Sequence, residues 1–108
     1  MLVVLAAAIA DTPKPNFDDV LECMDRQVVH YAAVTDNFDD ALDAAWDSCE
    51  ALSYRATAAL RKWVSERAQP DWTVAEGQQM AKRQIYDDYR STLVREFLDA
   101  KVAAKGGR

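Results

Sequence analysis

Two cysteines constrain this chain more than any other feature, because of where they stand relative to a turn. Thr35-Asp36-Asn37 is turn chemistry, three side chains that bond their own backbone in preference to continuing a helix. Cys23 lies thirteen residues before Asp36 and Cys49 thirteen after it. In an antiparallel helical hairpin, residues equidistant from the turn share one level, here about 20 Å from it at 1.5 Å per residue. The two thiols are therefore predicted to face each other. A disulfide closing a loop of this size stabilises a fold by roughly 3.5 kcal/mol on the chain-entropy model, which is large beside the net stability of a small domain.

The residues around the cysteines support the hairpin. Phe17, Val20, Leu21, Met24, Val28 and Tyr31 recur at three and four, so a first helix is predicted from an Asn16 N-cap to about Val34. A second helix is predicted from Phe38 to Arg67. Its positions Phe38, Leu42, Ala45, Cys49, Leu52, Ala56, Ala59 and Trp63 alternate steps of four and three, a heptad seam. Gln69-Pro70-Asp71 ends it. Thr73 and Glu76 form the sequence signature of a capping box. They open a third helix whose stripe is Tyr86, Tyr89, Leu93, Phe97 and Ala100, flanked by Ile85 and Leu98. Gly77 is expected to fray or bend its first turns. Short connections give an all-α, up-down-up three-helix bundle built on a disulfide-linked antiparallel hairpin. The helical domain is expected over 16–104, with 105–108 a flexible tail.

The length of 108 residues makes one domain, with half of its residues apolar and six Gly or Pro in total, values of an ordinary packed fold. Charge is unevenly placed, −9 over residues 1–50 and +4 over residues 51–108. The two halves are expected to neutralise each other within the fold. A net charge of −5 speaks against nucleic acid, whose binding depends on neutralising phosphates.

The first ten residues read as the end of a secretory signal. Leu2 to Ala10 is a short apolar h-region, and Ala8-Ile9-Ala10 fits the small-x-small cleavage rule. Residues 11–15, with Pro13 and Pro15, then read as an extended mature N-terminus. No Lys or Arg precedes the apolar run, so a basic n-region is expected upstream of Met1. Nine apolar residues are too few to span a bilayer, so no stable membrane insertion is expected. Two cysteines in an exported chain pair structurally, and the expected address is periplasmic or secreted.

Sites of chemistry are looked for in vain. Catalytic dithiols take the form Cys-x-x-Cys at a helix N-terminus, whereas Cys23 and Cys49 fall in helix interiors. His30, the one histidine, stands seven residues after Cys23 on the same side of the first helix, but Cys23 is taken by the disulfide and no oxyanion loop accompanies the pair. Asp36, Asn37, Asp39, Asp40 and Asp43 lack the central Gly and terminal Glu of a calcium loop. No metal, cofactor or catalytic residue is therefore expected. Trp46, one position off the seam, and Trp72, in the loop before the third helix, are the candidate interface residues. Trp63 is expected in the core. The leading expectation is a non-enzymatic exported binding domain with a protein partner. The alternative is a structural subunit that forms a homo-oligomer through the heptad seam.

Overall fold

The structure, a computed structural model, describes residues 12–106. The expected signal segment 1–10 lies outside the described residues, as do residues 11, 107 and 108. The described chain is all-helical. It comprises α1 (Asp18–Ala32), α2 (Phe38–Ser65), α3 (Val74–Asp88) and α4 (Arg90–Gly106).

Local chemistry shapes the starts of α1, α2 and α3. The expected Asn16 cap lies one residue too early: α1 begins at Asp18 with Phe17 at its N-cap and no side-chain cap, while Asn16 Oδ1 accepts from the Asp18 amide at 3.0 Å in the turn before it. Asn37 Oδ1 accepts from the Asp40 amide at the start of α2, and Asn37 N in turn donates to Thr35 Oγ1. Both acidic pairs, Asp18–Asp19 and Asp39–Asp40, then sit where the helix macrodipole favours negative charge. Thr73 and Glu76 form the full reciprocal capping box at α3, with bonds of 3.0 and 3.2 Å.

One apolar cluster holds the helices together. Val20, Met24, Val28 and Ala32 of α1 join Ala41, Leu42, Ala45 and Trp46 of α2, Ile85 of α3, and Leu93 and Phe97 of α4. Burying a side chain such as Leu42, Met24 or Val28 contributes about 1.5–3 kcal/mol. The disulfide joins Cys23 to Cys49 inside this cluster, with Cα atoms 5.9 Å apart. Such a bridge fits an oxidising compartment.

The second helix departs from the expected seam after Cys49. Its buried series is Leu42, Trp46, Cys49, Ser53 and Thr57, while Leu52 and Ala56 are half-buried and Ala59 is exposed. Steps dominated by four belong to a straight helix of 3.6 residues per turn, which drifts away from a strict seven-residue repeat. Trp63 is half-buried rather than core.

The third expected helix is divided in two. Only Tyr89 separates α3 from α4, with φ −108° and ψ 2°. Backbone bonds still run from Tyr89 N to Ile85 O and from Leu93 N to Tyr89 O. No Pro or Gly causes the break. The packing supplies the reason: α3 lies on α2, whereas α4 lies mainly on α1, and the chain redirects between these two surfaces at Tyr89. Gly77, expected to fray the start of α3, is instead buried within it. A Cβ there would stand 2.6 Å from the Trp72 ring and 2.7 Å from Thr57 Cγ2, so the glycine permits close approach of α3, α2 and the preceding loop.

Candidate binding groove

The cysteines form a staple and no reactive site. Cys23 is 6 % exposed and Cys49 is fully buried. His30 is exposed, edge-on to Tyr31 at 5.1 Å, and Cys23 is already committed to the disulfide. Among the described residues, no group of three His, Cys, Asp or Glu side chains is placed to hold a metal ion, and no helix is long and apolar enough to cross a membrane.

The two candidate interface tryptophans are not brought together. Trp46 is 3 % exposed, edge-on to Tyr86 at 6.4 Å and capped by the Lys82 ammonium. Trp72 is half-buried across Gly77, its carbonyl held by Arg61 Nε at 2.6 Å. Each covers a seam between α2 and α3 within this chain, one near the end of α3 and the other at its first turn.

Three of the aspartates around the α2 start are committed to other helices. Asp36 accepts from Lys101 Nζ at 2.7 Å, Asp39 from Arg90 Nη2 at 2.6 Å, and Asp43 from the Tyr86 hydroxyl at 2.8 Å. The Lys101 bond and charge hold the Asp36 carboxyl below the usual carboxylate range. Burial, then the Asp43 carboxylate, pushes the Tyr86 phenol above its ordinary range. The acidic first half and basic second half meet in these pairs.

A buried polar cluster went unread in the sequence. Ser53 and Thr57 are almost wholly buried on α2 and meet Gln78 of α3. Ser53 Oγ donates to Gln78 Oε1 at 2.9 Å, Thr57 Oγ1 lies 2.8 Å from the Ser53 carbonyl, and Gln78 Nε2 donates to the Glu50 carbonyl. Every polar atom has a partner, so the cluster fixes the register of α3 on α2 and offers no open chemistry. The available signal was two hydroxyl residues spaced four apart beside the seam.

Among the described residues, a concavity with walls from three helices lies between α1 and α3. Both helices pack on α2, and α1 and α3 make little contact with each other. The gap is a groove of about 420 Å3. Leu21, Leu60 and Ile85 line it from three helices, Phe17 and Tyr89 stand at its sides, and the small Ala81 leaves it open. Lys14, Asn16, Asp18 and Gln84 supply the polar edge. Apolar lining with a few polar groups, at this volume, is the character of a binding site. The sequence reading missed the groove because Phe17, Leu21, Ile85 and Tyr89 belong to separate stripes read as core, and Leu60 and Ala81 belong to none. No family model, curated protein or solved structure matches this chain.

Proposed function

We propose that this chain is a non-enzymatic binding domain of the periplasm or the secreted space, exported by the apolar segment that ends at Ala10. Its arrangement is up-down-up, with α3 and α4 together serving as the third arm. The observation that carries the reading is the groove between α1, α2 and α3. Its occupant is an apolar segment of a partner protein, flanked by acidic residues. Lys14 at the edge, with Lys62 on α2 and Arg67 just past its end, gives that end of the groove an excess of positive charge over Asp18 and Glu66.

The test is capture from envelope extract by the oxidised chain and by Ala81→Arg, which places a long charged side chain in the groove. A partner retained by the parent and lost by the variant supports the reading. Identical captures by both proteins sink it.

A second reading is a subunit that self-associates through the α2 seam. It draws on the exposure of Ala59 and the partial exposure of Leu52 and Ala56, which leave the later half of the seam reachable. The earlier half, Leu42 to Cys49, is already filled by this chain. Sedimentation of the pure protein separates the two, a monomer for the binder and a concentration-dependent dimer for the subunit.

A further inference from the structure

The binding-groove reading carries a consequence for how access to the groove is controlled. Residues 12–17 cross the C-terminal half of α2 before the chain enters α1 at Asp18. Their upstream end is held by Trp63, near the end of α2, and by Arg67, two residues past it. Trp63 Nε1 donates to the Thr12 carbonyl at 3.2 Å, and Arg67 Nη2 donates to the same oxygen at 3.3 Å. The Arg67 guanidinium lies 4.0 Å from the Trp63 ring centroid, so the two donors brace each other. The downstream end is fixed by Phe17, whose carbonyl accepts from Leu21 N at 3.0 Å. Between these anchors stand Pro13 and Pro15, which have no N–H with which to bond α2.

Pro15 lines two hollows at once. One is the groove, and the other is a space of about 180 Å3 against Ala59, Lys62, Trp63 and Glu66. Residues 12–17 are therefore the partition between them. With the partition lifted, the two hollows become one channel along α2, from Leu60 and Ile85 to the face of Trp63.

We propose that residues 12–17 are an autoinhibitory strap, latched by Trp63 and Arg67, whose release opens one channel for an elongated apolar segment. The latch holds a surface carbonyl by hydrogen bonds, each of modest net strength in water. A ligand that binds only the open form has its apparent affinity reduced by the fraction of molecules that are open. Loosening the latch therefore tightens binding.

The test titrates a neutral apolar dye, Nile red, into the oxidised full chain and its variants. Trp63→Phe combined with Arg67→Met keeps the apolar bulk and removes both donors. It is expected to tighten dye binding roughly fivefold or more, with the helical circular dichroism spectrum unchanged. Adding Ala81→Arg is expected to abolish the gain. If the double variant loses helicity, Arg67→Met alone, at an exposed position, decides by the same titration. Unchanged or weaker dye binding in a folded latch variant overturns the strap. If Ala81→Arg still abolishes dye binding in that case, the groove stands and only the strap falls. If Ala81→Arg leaves dye binding intact in every background, the groove is not the site and both readings fall.

Discussion

Cys49 is fully buried and Cys23 nearly so, which places the bridge beyond the reach of a reagent in the folded chain. The native protein is therefore expected to show no free thiol until it is both denatured and reduced, as a thiol-labelling assay reads. Cys49→Ser should lower stability by roughly 3.5 kcal/mol on the loop-entropy model, measured by urea unfolding, while low-temperature helicity stays similar. Two thiols that label in the folded native protein would refute the bridge. Gly77 makes the opposite kind of demand, for empty space. Replacing Gly by Ala inside a helix ordinarily gains about 1 kcal/mol, yet here the new methyl would overlap Trp72 and Thr57. Overpacking costs about 1–3 kcal/mol, so Gly77→Ala should give a net loss of up to about 2 kcal/mol. A gain in melting temperature would mean that Trp72 moves aside freely.

Along α2 the burial series decides which apolar residues carry stability. Leu42 is 1 % exposed, and Leu42→Ala should cost about 2–5 kcal/mol. Leu52, which the heptad reading makes equally central, is half-buried and should cost clearly less than Leu42. Glu66 is exposed at the helix end and should change stability by less than about 0.5 kcal/mol when replaced by Ala. Denaturant midpoints of the three variants order the positions, and equal losses at Leu42 and Leu52 would restore the heptad. The same reasoning explains why the ends of helices were legible and the divided third helix was not. Asn37 and Thr73 act on their own neighbours within three residues, so their capping needs no partner from elsewhere. Tyr89 has no local cause to interrupt a helix. Its backbone turns because α3 follows α2 while α4 follows α1.

For the molecule as a whole, the uneven charge of the two halves is spent across helix pairs. Arg90 with Asp39 and Lys101 with Asp36 tie α4 to the first turn of α2 and to the connection before it. Lys101 lowers the Asp36 carboxyl, so the folded state holds that proton less tightly than the unfolded chain. The stability this pair contributes is present above the ordinary carboxylate value of 3.8 and is lost as pH falls through the folded value. Asp36 is fully solvent-facing, so the effect is small and screened by salt. Lys101→Met should be less stable than the parent at pH 7 in low salt, and the difference should vanish once the pH is low enough to protonate Asp36 in the folded state as well. A difference that persists there, or grows with added salt, would assign the role of Lys101 to its packing on Phe97.

What the sequence determined by itself was local or symmetric about a local feature. The turn at Thr35–Asn37 is written in its own side chains, and equal spacing on either side of it suffices to bring Cys23 to Cys49. The side-chain caps Asn37 and Thr73 and the helical character of each segment are fixed in the same way. Only the tertiary structure decided which face of α2 is buried beyond Cys49, where the third segment bends, and that Gly77 is a contact rather than a weak point. It alone also decided that Leu21, Leu60, Ala81 and Ile85 border one groove. Periodicity marks a residue as apolar-facing without saying which neighbour it faces. That choice belongs to the competition among helices for one shared surface, and no window of sequence contains all the competitors.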